Sequence, residues 1–95
     1  MNIIYTNSIS VDDYNALRAS AGWGTIHPEQ AEAGLAGSTL VIAAKDGDKI
    51  VGTARLVTDG GYTALIKDVL VLPDYQGKGI GTMMMTRIMD YLKNK

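Results

Sequence analysis

Cysteine is absent, so neither a disulfide framework nor a thiolate nucleophile or thiolate metal site is available. A single histidine, His27, excludes a histidine metal cluster without ligands from outside the chain. No apolar run approaches the roughly 20 residues that a membrane-spanning helix needs. The opening Met1-Asn2-Ile3-Ile4-Tyr5 lacks the basic start and long apolar core of a signal peptide. Internal repeats and low-complexity tracts are missing as well. A large charge excess is missing too: nine basic and ten acidic residues leave a net charge of −1, against bulk nucleic-acid binding. These absences set the expectation of a soluble cytoplasmic protein with no metal, no nucleic-acid partner and no membrane association.

What is present is 95 residues of ordinary globular composition, 46% apolar and 20% charged, enough for one domain or part of one. The charge is unevenly spread. Residues 1–48 hold two basic and six acidic residues, whereas residues 49–95 hold seven basic and four acidic. An anionic ligand is therefore better accommodated by the second half. A chain this short buries only about 60–65% of its unfolded surface, so its stability is marginal before any partner is counted.

The apolar pattern predicts the order β-α-α-β-β-β-α. Asn2 to Thr6 is a β-branched and aromatic run that reads as an edge strand. Ser10 is placed to cap a helix over 11–20, with Asp12 and Asp13 in its first turn and Val11, Tyr14, Leu17 and Ala21 at helical spacing. Pro28 suits the first turn of a second helix, weakened by Gly34 and ended by Gly37. Thr39–Ala44 and Lys49–Thr58 flank turn residues and predict a hairpin. Tyr62–Leu72 is apolar on both faces and is expected to lie centrally, covered by helices. Ile80–Lys93 is helical, with Ile80, Met83, Met84, Ile88, Tyr91 and Leu92 on a broad apolar arc.

The informative stretch is Asp68-Val69-Leu70-Val71-Leu72-Pro73-Asp74-Tyr75-Gln76-Gly77-Lys78-Gly79-Ile80-Gly81-Thr82. A strand runs into a loop with glycines at alternate positions, and that loop opens a helix. Glycine allows the backbone to approach a ligand closely. The first helical N–H groups lack intrahelical partners and lie at the positive end of the dipole. Together they make an anion site suited to phosphate or pyrophosphate, with Lys78 adding a full charge. A Walker A loop is excluded by spacing. A dinucleotide fingerprint fails because Thr82 stands where its last glycine is required, and because the preceding strand follows a hairpin instead of opening a βαβ unit.

This run resembles the acetyl-CoA loop of the GNAT N-acetyltransferase superfamily, whose signature Gln/Arg-x-x-Gly-x-Gly/Ala reads here as Gln76-Gly77-Lys78-Gly79-Ile80-Gly81. The order of the preceding elements is similar as well, so the resemblance covers essentially the whole chain. It implies an α/β (α+β) fold of GNAT type, with a mixed, mainly antiparallel sheet flanked by helices. It implies that the amides of Gln76, Gly77, Lys78, Gly79, Ile80, Gly81 and Thr82 hold the coenzyme A pyrophosphate. Leu70, Val71 and Leu72 would pair with the pantetheine arm, with the thioester beside Leu70. An amine acceptor would attack directly, approaching from the side of the first two helices. The chain resembles the N-terminal two-thirds of such a domain, as a single C-terminally incomplete unit. The usual last strands and helix, and the tyrosine they often carry, have no counterpart here.

Other residues carry paired readings. Asp68 is either a general base for the acceptor amine or a buried carboxylate hydrogen-bonded to a neighbouring loop or turn, the commoner situation. Trp23 either walls the acceptor pocket or caps the core above the first two helices. Lys78 either contacts phosphate or is a solvated charge. Tyr75 is expected behind the loop, Tyr91 in the core, His27 as a helix cap, and Arg55 and Arg87 as ion-pair partners. The four methionines of the last helix suit adaptable packing or self-association. An alternative to acetyl transfer follows from the unpaired edge expected on the Tyr62–Leu72 strand: a non-catalytic fragment that binds coenzyme A weakly or forms a homodimer through that edge or the last helix. A nucleotide-phosphate binding module is a third reading, disfavoured by the lack of both standard nucleotide loops.

Overall fold

The computed structural model describes residues 2–94. Strand β1 (Ile3–Thr6) is followed by helices α1 (Val11–Ser20) and α2 (Pro28–Ala36), strands β2 (Leu40–Asp46), β3 (Lys49–Thr58) and β4 (Ala64–Val71), a single 3₁₀ turn at Pro73–Tyr75, and helix α3 (Ile80–Lys93). The strands form one sheet in the order β1-β2-β3-β4, and every pairing is antiparallel. The mixed sheet expected from the sequence is therefore wholly antiparallel among the described residues.

Local chemistry sets the helix ends. The Ser10 hydroxyl accepts the Asp13 amide at 3.1 Å, which satisfies one orphan donor of α1. His27 plays the same part for α2, its Nδ1 accepting the Glu29 amide at 3.3 Å, and Pro28 occupies the first helical position.

The two faces of the sheet differ in kind. On one face α3 lays Ile80, Met84 and Ile88 over Ile42, Ala44, Val51, Ala54 and Leu56, all buried. Gly52 permits this close approach: a Cβ there would stand 3.1 Å from the Leu70 carbonyl and 3.3 Å from Met84 Cε. On the other face Tyr14 and Leu17 of α1 and Ala31 of α2 are buried. That face carries a polar cluster described below.

Two expectations are corrected. The strand expected to be central, Tyr62–Leu72, is β4, and it forms the outer edge of the sheet; the interior strands are β2 and β3. Its alternate side chains are accordingly open, with Leu65 at 53% and Val69 at 40% exposure. The apolar arc of α3 is also narrower than expected. Met83 is exposed, and the buried stripe is Ile80, Met84 and Ile88 with Tyr91 and Leu92 partly covered.

Strand β4 is not regular. Leu70 pairs with Thr53 and Lys67 with Arg55, so Asp68 and Val69 stand opposite Ala54 alone. This is a β-bulge, and it places Asp68 at φ 56°, in the left-handed region. The bulge turns the Asp68 carboxylate onto the α1 side.

Candidate functional site

The segment after β4 is held from below. The Leu72 amide donates to Val51 O at 2.9 Å, and the Tyr75 amide donates to Leu72 O at 2.9 Å. The Tyr75 hydroxyl donates to Asp46 Oδ2 at 2.7 Å, which pins the 3₁₀ turn to the end of β2. Gln76 braces the loop on both counts: its amide donates to Pro73 O at 3.3 Å and its side-chain Nε2 to Val71 O at 3.1 Å.

Beyond Gln76 the chain turns through Gly77 (φ 77°) and Gly79 (φ 85°), a conformation that L side chains rarely adopt. The first α3 bond is from the Met83 amide to Gly79 O at 3.0 Å. The amides of Gly77, Lys78, Gly79, Ile80, Gly81 and Thr82 donate to no acceptor among the described residues. Gly77, Gly79, Ile80, Gly81 and Thr82 border a cavity of about 250 Å³ whose lining is completed by Val71, Tyr75 and Gln76. Two details differ from expectation. The Gln76 amide is already bonded to Pro73 O, so the free donors begin at Gly77, and Lys78 is exposed and lies outside the lining.

Gly81 is informative for a different reason. Its φ is not positive, and a Cβ there would meet only Val71 Cγ2, at 4.0 Å. Nothing in the protein requires glycine at this helical position, where it lowers helix stability.

The second cluster lies on the α1–α2 face. Asp68 Oδ2 accepts from the Tyr14 hydroxyl and from Arg55 Nε, both at 2.7 Å, and Oδ1 lies 3.5 Å from Arg18 Nη1. Burial pushes the Asp68 pKa up, but the hydrogen bonds from Arg55 and Tyr14 and the charges of Arg55 and Arg18 outweigh it, leaving it below 3.8. Tyr14 moves the other way: burial and then the bond to Asp68 raise its pKa above 10.0. Arg55 Nη1 also donates to Gly34 O and Ser38 Oγ, tying α2 to the sheet.

Asp68 was expected as a base or as a carboxylate bonded to a nearby loop or turn. Its acceptors are instead engaged by two arginines and a tyrosine, the latter 54 residues away in sequence. A depressed pKa makes it a weak base toward an ammonium. Arg55 is an ion-pair partner as expected. Arg87 has no ion pair among the described residues and instead lies 4.7 Å over the Tyr5 ring. Trp23 is 49% exposed and neither lines the adjoining cavity nor belongs to the core; the Arg18 guanidinium lies 5.5 Å over its ring. Sequence reasoning missed Tyr14 and Arg18 as members of this cluster. Tyr14 sits at helical apolar spacing, which carries no sign of a hydrogen-bond partner.

Residues 8–95 match the acetyltransferase (GNAT) family. The chain belongs to this family. Its relatives include N-acetyltransferases named ycf52, uncharacterised, from Porphyra purpurea (29% identical, covering 93% of this chain and 53% of that one) and Pyropia yezoensis (32%, 95% and 56%). This GNAT chain thus spans about half the length of these curated relatives. Among solved structures, a protein of unknown function from meticillin-resistant Staphylococcus aureus superposes with a TM-score of 0.92 at 36% identity, covering 98% of this chain and 71% of that one. An aminoglycoside 6'-N-acetyltransferase complexed with coenzyme A shares the fold at a TM-score of 0.79 and 19% identity, over 96% of this chain and 56% of that one. One further relative is named chloroplastic, from Arabidopsis thaliana, 42% identical over 42% of this chain and 16% of its own length, so the cytoplasm is not the compartment of every relative. No helix among the described residues is long and apolar enough to cross a membrane.

Proposed function

We propose that this GNAT chain binds acetyl-CoA on the Gly77–Thr82 loop and passes its acetyl group to an amine acceptor by direct attack in a ternary complex. The observation that carries the reading is the row of amides from Gly77 to Thr82 without protein acceptors among the described residues, all but Lys78 belonging to residues that border one cavity at the start of α3. Such donors at a helix N-terminus favour a diphosphate. Gly81 supports the same reading, because a close ligand is the remaining reason for a glycine there. Acetyl-CoA would supply the thioester whose C–S bond breaks as the amine's N–C bond forms, the nitrogen losing one proton and the thiolate gaining one.

The chain's own residues would contribute binding and orientation. Leu70, Val71 and Leu72 lie where β4 ends as an edge strand, along which the pantetheine arm would run. The Leu72 amide and carbonyl already serve Val51 and Tyr75, so backbone pairing with the arm would fall to the strand residues before Leu72. A backbone N–H near Leu70 would polarise the thioester carbonyl. Asp68 would act as a positioning residue, holding the bulge that sets the course of β4 into Leu70. An edge-to-edge dimer would occupy the same backbone groups, so cofactor binding and self-association through β4 would compete. The fragment reading without catalysis gains nothing from the relatives, which are named as acetyltransferases.

The test is calorimetric and thermal. Coenzyme A at 100 times its Kd is expected to stabilise the fold by about 2.7 kcal/mol and raise Tm accordingly. ATP, lacking the pantetheine arm, is expected to do less. No change in Tm at millimolar coenzyme A overturns the proposal.

A further inference from the structure

A cavity of about 270 Å³ opens on the α1–α2 side of the sheet, between those helices and the β3–β4 pair. Its charged lining is Arg18, Arg55, Lys67 and Asp68, three cations to one anion. The anion is held in the wall: Oδ2 accepts from Tyr14 and Arg55, and Oδ1 lies 3.5 Å from Arg18 Nη1. Arg18 is engaged as well: Nε donates to Gly24 O at 3.1 Å and Nη2 to Trp23 O at 3.4 Å. Two cationic donors remain. Arg55 uses Nε and Nη1 on Asp68, Gly34 and Ser38, which leaves Nη2 without an acceptor among the described residues. The Lys67 ammonium has no partner among them at all and stands exposed at the rim.

A pocket of this kind is net positive and repels a diamine, and its one carboxylate is already paired with two guanidinium groups. Its unsatisfied charge is positive, and a ligand carboxylate answers it with charge-assisted hydrogen bonds. We infer that the amine acceptor carries a carboxylate, held between Lys67 and Arg55 Nη2, and that the acceptor is a small amino carboxylate. This rests on the acetyl-transfer reading above for the identity of the other end. Register supplies the spacing. Lys67 pairs with Arg55, and Leu70, where the thioester is expected, pairs with Thr53 two residues along β3. Two residues of strand span about 6.6 Å along the backbone, so the carboxylate site and the thioester position lie on separate rungs of the β3–β4 ladder, which suits an acceptor with its amine and carboxylate at opposite ends, as in an ω-amino acid.

Trp23 provides a reporter, as the only tryptophan and in contact with Arg18 of the pocket wall. With the chain saturated in coenzyme A, Trp23 fluorescence is titrated with 4-aminobutanoate, 5-aminopentanoate, butylamine and 1,4-diaminobutane. The amino carboxylates are expected to saturate the signal at concentrations about tenfold or more below the other two amines. Lys67→Glu, at an exposed position, is expected to abolish that preference. Equal or tighter binding of butylamine or the diamine overturns the inference. So does a preference that survives Lys67→Glu, or the lack of any saturable response to the amino carboxylates. Coenzyme A affinity is measured in parallel. Its failure would sink the acetyl-CoA reading, whereas the acid preference is read independently from Trp23 in the chain without coenzyme A.

Discussion

Arg55 Nε lies 2.7 Å from Oδ2 of Asp68, the only non-glycine residue with positive φ among those described. The pair explains how a bulge survives in β4. A left-handed aspartate is disfavoured by roughly 1–2 kcal/mol, and the ion pair together with the Tyr14 hydroxyl offsets that. Sheet register, the α2 anchor at Gly34 and the α1 face all meet at this one ion pair, α2 through the Arg55 guanidinium and α1 through the Asp68 carboxylate.

Removal of the carboxylate should therefore be felt throughout the fold. Asp68→Ala is expected to lower stability by about 2–4 kcal/mol, because two arginines lose their common partner. Denaturant unfolding measures it. The pH dependence has a definite sign. The folded-state pKa lies below 3.8, so the contribution is complete above that value and is lost as pH falls through the lower folded value. The acid limb of the wild-type stability curve should be shallower in Asp68→Ala, with the part due to other carboxylates such as Asp59, which the Gly61 and Thr63 amides also hold below 3.8, remaining. Because Asp68 is assigned to positioning and not to proton transfer, Asp68→Asn should leave the shape of the pH–rate profile of any acetyl transfer unchanged near neutrality.

Tyr14 works at the opposite end of the scale. Its pKa is raised above 10.0, so its contribution is complete below that value and is lost as pH rises through the folded value. Tyr14→Phe removes the donor to Asp68 and should cost about 1 kcal/mol at neutral pH. Thermal melts between neutral and alkaline pH should show the difference between the two proteins shrinking in the alkaline range.

Gly79 and Gly81 separate folding from binding. Gly79→Ala forces an alanine to φ 85° and should destabilise by about 1–2 kcal/mol. Gly81→Ala has room for its Cβ and ordinary helical geometry, so it should leave stability unchanged or raise it by up to about 1 kcal/mol. Coenzyme A affinity should nevertheless fall in Gly81→Ala, as read by titration calorimetry. A variant that is more stable yet binds less well is the signature of a glycine kept for a ligand. Unchanged affinity would remove that argument.

Gly52 tests the other face. A Cβ there meets the Leu70 carbonyl at 3.1 Å, backbone that has little freedom to give, and Ile80 and Met84 beyond it. Gly52→Ala should cost about 1–3 kcal/mol by overpacking and should shift β4 where it meets the loop. Denaturant midpoints measure the first effect, and coenzyme A affinity the second.

Much of this could be read in advance. Ser10, His27 and Pro28 announce their helices through local capping chemistry, which acts over three or four residues and is therefore visible in sequence. Gly77 and Gly79 announce the left-handed turn ahead of α3 for the same reason. The long apolar strand lies at the sheet edge and not in its interior, a difference the sequence does not carry because apolar character on both faces suits either position. The Asp68 cluster was invisible. Its members come from α1, β3 and β4, and a tyrosine at helical spacing looks like core.

Local hydrogen bonding and backbone freedom are written into neighbouring residues, so the chain alone determined where its helices start and where the backbone turns through positive φ ahead of α3. Which strand lies at the edge, where the ladder slips by one residue, and which carboxylate meets which guanidinium depend on segments tens of residues apart. Only close packing in three dimensions decides those, because long-range pairing energies leave no periodic trace in the order of the residues.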